Sequence, residues 1–398
     1  MKLLALLLVA SVGCAGIWAQ NKGSQKNARD GAKSSATQQT TGARKTSATP
    51  NPADLAIERG ARWLASVQGG DGGWGQDAGD PSYVRKNVPL ESNGNDVGNT
   101  AIAALALLRA GSQYRPNVER AVGFVLQRVE ASPADGLSIT DAKQQTQVER
   151  KLGPFIDTFV ASMLLAQVDG TLPKLNARIR SGLQKCVAKI EKNQTTDGSW
   201  NTGGGWAPIL GTSLASRSLY MAQQKGVAIN MDVMARADDY TLKGQKDRTP
   251  TASGPGAGAG VGAGSGIRAT TESAIVVAGS AGVALYQDAQ ALEQLSRTQE
   301  SREKNAKEIA AINGRLADPK FVEGFGSIGG EEFFSYLNIG DSLRRSNGKE
   351  WGDWHSKIAA KILKLQNDDG TWAGQHCITG RVAVTSAAIL NLTTDIVD

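Results

Sequence analysis

"RGARWLASVQGGDGGWG", residues Arg59–Gly75, decides the fold of this chain. It reads as an amphipathic helix, then a glutamine, then an Asp-Gly turn, then a tryptophan. Two other stretches repeat that order: "LQKCVAKIEKNQTTDGSWN" from Leu183 and "KIAAKILKLQNDDGTWAG" from Lys357. Self-similarity at long period makes each copy one unit of a larger array. Asp-Gly supplies the positive φ of a tight turn. An indole in that loop fills the gap between helices and leaves its N–H to find an acceptor. A calcium loop needs alternating acids and a closing glutamate, which neither "GGDGGWG" nor "NDDGTW" has.

Looser copies fill the gaps. Helices with one charged and one apolar face are expected near 54–67, 116–130, 174–193, 230–243, 290–315 and 351–365. Each is followed by a variable loop and a second helix, near 98–111, 154–168, 207–225, 268–286, 330–346 and 379–392. In the second set "IDTFVASMLLAQV" and "VTSAAILNL" are apolar nearly all round, and such a helix is buried on every face. Six alternating pairs predict an all-α chain folded as a single closed (α/α)6 toroid, with the buried helices inside and the amphipathic ones outside. Closure removes the exposed ends that an open solenoid has to cap.

The string Arg59-Gly60-x-x-Trp63-Leu64-x-x-x-Gln68-x-x-x-Gly72-x-Trp74 resembles the QW repeat of squalene and oxidosqualene cyclases. Gln194…Gly198-x-Trp200 and Gln366…Gly370-x-Trp372 fit it less fully. The resemblance extends to the terpenoid cyclase and protein prenyltransferase α/α-toroid superfamily, and covers residues 54–398 as architecture. It implies a structural role for Gln68, Trp74, Gln194, Trp200, Gln366 and Trp372, which would stack and tie neighbouring outer helices together.

The start, "MKLLALLLVASVGCAGIWAQ", joins one lysine to a short apolar run and small residues. It reads as a secretory signal over residues 1–19, too short to remain in a bilayer; lipid attachment at Cys14 is the alternative. Residues 20–53 are polar and aperiodic, as in a disordered linker. Lys2, Lys22, Lys26, Arg29, Lys33, Arg44 and Lys45 against Asp30 account for the whole formal net charge of +6. Residues 54–398 are therefore near neutral, and the basic balance gives no case for nucleic acid. The expectation is an exported protein, periplasmic or extracellular, without a transmembrane segment, whose basic tail offers contact with an anionic surface or cell wall. Cys186 shares a helical face with Leu183, Val187 and Ile190 and is expected in the core, so it and Cys377 make no disulfide framework.

In a toroid the inner helices run one way, so their N-termini meet at one mouth and make it locally positive. The loops entering them bring Asp96, Asp157, Glu272, His376, Cys377 and Arg381 there as candidate catalytic residues. No metal or other cofactor is favoured. The alternative is zinc on His376, Cys377 and a carboxylate, since zinc takes three or four such ligands. Against it, successive side chains diverge. The resemblance implies a zinc pattern with Asp two residues before Cys, and Gln375 stands there instead. The Gly-rich residues 253–266 carry GxGxxG-like spacing without a preceding strand, and are expected to form a flexible loop over the mouth.

The resemblance also implies triterpene cyclisation, but the DxDD string that protonates the substrate is absent; "NGNDVGN" is nearest, with one acid. Aromatic residues, whose faces hold carbocations, are only 5% of the chain. The first functional expectation is a protein that binds an apolar isoprenoid, a lipid or a peptide in its cavity without intact cyclase chemistry. The second is a divergent enzyme, terpene cyclase-like or another toroid lyase or transferase, with its site at the inner-helix N-termini. A smooth apolar cavity would favour the first; carboxylates converging with His376 or Arg381 would favour the second.

Overall fold

Outer and inner helices alternate along the described residues of the computed structural model, which are 51–77, 94–140, 146–200, 208–246, 281–324, 328–346 and 350–394. The chain divides into two units, Met1–Thr49 and Pro50–Asp398. The export signal with Cys14, the basic linker up to residue 50, the Gly-rich loop at 253–266 and Glu272 lie outside the described residues.

In chain order the helices are α1 (Pro52–Ser66), α2 (Val97–Ala110), α3 (Arg115–Ala131), α4 (Gln147–Leu152), α5 (Ile156–Val168), α6 (Asn176–Lys192), α7 (Pro208–Gln224) and α8 (Met231–Lys246). They continue with α9 (Ala281–Leu295), α10 (Gln299–Lys304), α11 (Ala306–Leu316), α12 (Pro319–Val322), α13 (Gly330–Ser346), α14 (Glu350–Leu363) and α15 (Arg381–Leu392). Helix α2 packs on α5, α5 on α7, α7 on α9, α9 on α13, α13 on α15, and α15 back on α2. That closes an inner ring of six helices, as the alternation of apolar and amphipathic segments requires. Helices α1, α3, α6, α8 and α14 pack outside it, and α10, α11 and α12 take the remaining outer place. Among the described residues no helix is long and apolar enough to cross a membrane.

The ring is built by burial. In α5 every residue but Gln167 is buried, Leu164 and Leu165 completely. Each such leucine stabilises the fold by about 1.5–3 kcal/mol relative to exposure. Cys186 is fully buried on α6, and burial pushes its thiol up to about 12. Helix α1 begins at Pro52, earlier than expected, because Asn51 caps it by accepting from the Ala53 N–H at 3.1 Å.

The three repeated loops make the same contacts. The Gln68, Gln194 and Gln366 amides donate to Gly72, Gly198 and Gly370 oxygens within their loops, at 2.8, 2.9 and 3.0 Å. Each amide also donates to a backbone oxygen in the first turns of the next outer helix: Asn117 of α3, Val233 of α8 and Ala56 of α1, all at 2.9 Å. The Trp74, Trp200 and Trp372 indoles donate back to Leu64, Ile190 and Ile362 at 2.8, 2.7 and 2.8 Å. The Trp backbone N–H groups donate to the hydroxyls of Thr100, Thr212 and Thr385 on the inner helices.

One pair departs from expectation. An inner helix near 268–286 and an outer one from 290 were expected, but α9 runs through Leu295 as an inner helix. Asp288, Gln290, Glu293 and Gln294 suggest an outer face, yet all four are buried. Asp288 pairs with Arg315 at 2.6 Å, Glu293 with Arg297 at 2.5 Å and Arg345 at 3.2 Å, and Gln294 donates to Asp238 at 3.0 Å. Buried polar groups with partners satisfy the interior as apolar ones do.

Candidate functional site

Two clusters of ionisable side chains stand at the N-termini of the inner helices. The first gathers Asp96, Glu149 and Asp157, all buried. Asp96 caps α2, accepting from the Asn99 backbone N–H at 2.8 Å and its side-chain amide at 2.9 Å. Glu149 completes a capping box on α4: the Thr146 N–H donates to its carboxylate at 2.9 Å, and the Thr146 hydroxyl accepts from its N–H at 3.2 Å. Asp157 lies in the first turn of α5. A Cβ on Gly98 would lie 2.9 Å from Asp157 Oδ1 and 3.5 Å from Asp96 Oδ1, so both carboxyls crowd one bare turn of α2.

Burial dominates their titration. It lifts Asp96 to about 6. Burial, with the charge of Asp96 added, lifts Glu149 to about 7. For Asp157, burial and then the charges of Glu149 and Asp96 push the carboxyl well above its ordinary value. The Thr140 hydroxyl and the Gly98 N–H only partly offset the rise. Burial and the two neighbouring acids thus favour the neutral form of Asp157.

Helix α4 is pinned beside this cluster by Gln147. Its side-chain oxygen accepts from Thr379 and Gly380 N–H groups at 3.0 and 3.1 Å. Its amide donates to the Thr379 hydroxyl at 3.0 Å, and its backbone N–H to Gln76 Oε1 at 3.3 Å.

The second cluster joins the start of α13 to the loop before α15. Gln375 N–H donates to Ile328 O at 2.8 Å and Gly330 N–H to Ile378 O at 2.9 Å, which zips the two segments together. Glu331 and Glu332 are fully buried. Glu331 Oε2 accepts from the Ile378 N–H at 3.2 Å. Glu332 accepts from the Gly329 N–H at 2.9 Å and the Tyr286 hydroxyl at 3.3 Å, and stands 3.5 Å from His376 Nε2. Cys377 has φ 53°, the one positive value among the described non-glycine residues. Successive side chains were expected to diverge here. Instead the donor atoms of Glu331, His376 and Cys377 lie within 4.8 Å of one another.

The candidates therefore divide rather than meet at one place. Asp96 joins Asp157, and His376 joins Cys377 and Glu331. Arg381 goes to neither: its guanidinium lies 5.2 Å from the Trp63 ring and 3.3 Å from Asp369, and its backbone N–H faces Asp77 at 3.3 Å. His355 is half-buried, 4.7 Å from the Trp351 ring. Glu149 and Gln147 were not anticipated; the Thr146-x-x-Glu149 spacing was the available signal.

Comparison with known proteins adds a family likeness. The family model of the squalene-hopene cyclase C-terminal domain matches residues 36–137. A squalene–hopene cyclase of Bradyrhizobium diazoefficiens is 41% identical over 73 residues, 18% of this chain and 11% of that protein. A probable squalene–hopene cyclase of Sinorhizobium fredii is 38% identical over 72 residues, with the same 18% and 11% shares. The chain thus spans about a tenth of the length of these curated relatives. Among solved structures, a variant of the type II terpene cyclase MstE from Scytonema, in complex with geranylgeranyl dihydroxybenzoate, is 14% identical, covering 87% of this chain and 97% of that one at a TM-score of 0.33. Residues 36–137 are thus similar to the squalene-hopene cyclase C-terminal domain.

Proposed function

We propose that this chain is an exported toroid enzyme that binds an apolar polyene of the isoprenoid class and protonates it from the Asp157 carboxyl. One observation carries the reading: Asp157 is buried beside Asp96 and Glu149, where burial and the two neighbouring acids favour its neutral form. A proton donor to an alkene has to be such an acid, since a solvated carboxyl has already lost its proton near neutral pH. Asp96 near 6 and Glu149 near 7 exchange protons with solvent around neutrality and would return one to Asp157.

This favours the enzyme over the inert binding protein. The missing DxDD string does not oppose it, because the three acids come from separate elements of the sequence. The likeness of residues 36–137 to the squalene-hopene cyclase C-terminal domain suggests the substrate class. Few aromatic side chains on the inner helices are available to hold successive carbocations, so one protonation followed by capture or proton loss fits better than polycyclisation.

The test is incubation of the purified chain with squalene and shorter polyenes in deuterated buffer, read by mass spectrometry. Deuterium incorporation by the wild type, lost in a folded Asp157→Asn variant, is the expected result. Polyene bound without incorporation would return the protein to the binding class.

A further inference from the structure

We propose that Glu331, His376 and Cys377 form a mononuclear zinc site with a fourth position open to solvent. This site lies between α13 and α15 and is independent of the Asp157 acid between α2 and α5. Its three donors lie within 4.8 Å of one another, although Glu331 and the His-Cys pair come from different segments. Zinc–ligand bonds of about 2.0–2.3 Å in tetrahedral geometry set donors about 3.3–3.8 Å apart. Small side-chain rotations close that difference.

Two independent features point the same way. The first is Glu331. One carboxylate oxygen is anchored by the Ile378 N–H and the Cys377 thiol also bonds to this carboxyl, while Oε1 is buried without a partner. A buried carboxylate oxygen left unpartnered is costly, and a cation among these donors would supply what it lacks. The second is the backbone at Cys377. Its φ of 53° is left-handed, a region a side chain disfavours and glycine takes freely. A loop serving only as packing has no need of cysteine there. With this backbone the Cys377 sulfur lies within 4.8 Å of a nitrogen of the preceding imidazole. Strain of this kind collects at functional sites.

The surroundings suit a metal-binding histidine. Glu332 stands 3.5 Å from His376 Nε2 and is itself fixed by the Gly329 N–H and the Tyr286 hydroxyl. A carboxylate held against an imidazole orients the ring and raises its basicity as a ligand. A Cβ at Gly329 would sit 2.8 Å from His376 Nδ1, so only a bare residue lets the ring lie there. Mixed sulfur, nitrogen and oxygen donors suit zinc among common divalent ions. On binding, the Cys377 thiol gives its proton to solvent and its sulfur pair to the metal. His376 and Cys377 are half-buried, so a water molecule reaches the fourth position; three protein ligands and one open place is the pattern of catalytic zinc.

The test uses the purified chain after dialysis against metal-free buffer, with zinc content by mass spectrometry and cobalt(II) substitution read by absorption. Near one zinc per chain and a thiolate-to-cobalt charge-transfer band are expected. Cys377→Ser and His376→Ala should lose the band, and Glu331→Gln should weaken zinc affinity at least tenfold. Glu332→Gln should weaken it by about 10- to 100-fold while the band persists. His355→Ala should bind as the wild type does. Far-UV circular dichroism identifies variants that fail to fold; for those, cobalt titration of the wild type after thiol alkylation replaces the substitution. Wild-type protein that takes up neither metal overturns the proposal, as does zinc retained equally in folded His376→Ala and Cys377→Ser.

Discussion

Gln366, just beyond the last outer helix, donates from its amide to the backbone oxygen of Ala56 in the first, at 2.9 Å. Gln68 and Gln194 make the same bond forward along the chain, to Asn117 and Val233. Gln366 alone of the three makes it backward across the closure of the ring. Losing one such bond should cost about 1–2 kcal/mol when a half-buried acceptor is left unpaired. Gln366→Ala and Gln194→Ala should therefore destabilise to similar extents in urea unfolding. A near-neutral Gln366→Ala would mean that the ring opens at that seam in solution.

The glycine that ends each of these loops sits against the next outer helix. Gly72, Gly198 and Gly370 have φ of 91°, 90° and 88°. A Cβ at Gly72 would come within 2.6 Å of the Arg120 oxygen, and one at Gly198 would strike the Arg236 oxygen. Gly94 shares the backbone, with φ 90°, but has nothing within 4 Å of a built Cβ. Gly94→Ala should cost about 1–2 kcal/mol from the left-handed backbone alone. Gly198→Ala should cost about 1–3 kcal/mol more, the added term being overpacking. Thermal unfolding of the two variants separates conformational strain from collision.

Much of this architecture was legible because loop chemistry and helix periodicity are local. Gln68-x-x-x-Gly72-x-Trp74 names its own turn, and the apolar runs of α2, α5 and α15 can only be interior. Helix α9 was not legible, since Asp288 and Glu293 look solvated until Arg315 and Arg345 arrive from other helices, beside the local partner Arg297. Of the acid cluster, the toroid reading placed Asp96 and Asp157 at one mouth but missed Glu149, whose helix α4 lies in the loop before α5. At His376-Cys377 the sequence gives the right residues but not the φ of Cys377, on which their convergence depends.

Stability should fall as pH rises through neutrality. An unfolded carboxyl titrates near about 4. In the fold, Asp96 is raised to about 6, Glu149 to about 7 and Asp157 well above its ordinary value, all by burial first. The folded state then holds more protons than the unfolded one above about pH 4, so each group subtracts stability from there up to its folded value. The loss is about 1.4 kcal/mol per pH unit for each group in that window. Asp157→Asn removes one such group, and should flatten the pH profile between 5 and 8 and raise stability at its alkaline end. Urea midpoints across that range test it; an unchanged slope would mean that Asp157 is ionised in the fold.

At the far ends of the inner helices the ring holds a buried ion pair. Arg217 of α7 donates to Asn338 Oδ1 at 2.7 Å and to the Asp341 carboxylate, both on α13. Burial acts to raise Asp341, but Arg217, Arg109 and Arg345 outweigh it and hold the carboxyl below its ordinary value. Its stabilising contribution is therefore present above that ordinary value and lost as pH falls through the lower folded one, the reverse of the Asp157 cluster. Removing one partner leaves an uncompensated charge inside the ring, so Asp341→Asn should cost about 3–5 kcal/mol. The double variant Arg217→Met with Asp341→Leu removes both charges and should recover much of that loss. A double-mutant cycle by urea unfolding at pH 7 reads the coupling. Additive losses would mean that the two side chains act separately, with Arg109 or Arg345 compensating Asp341 in place of Arg217.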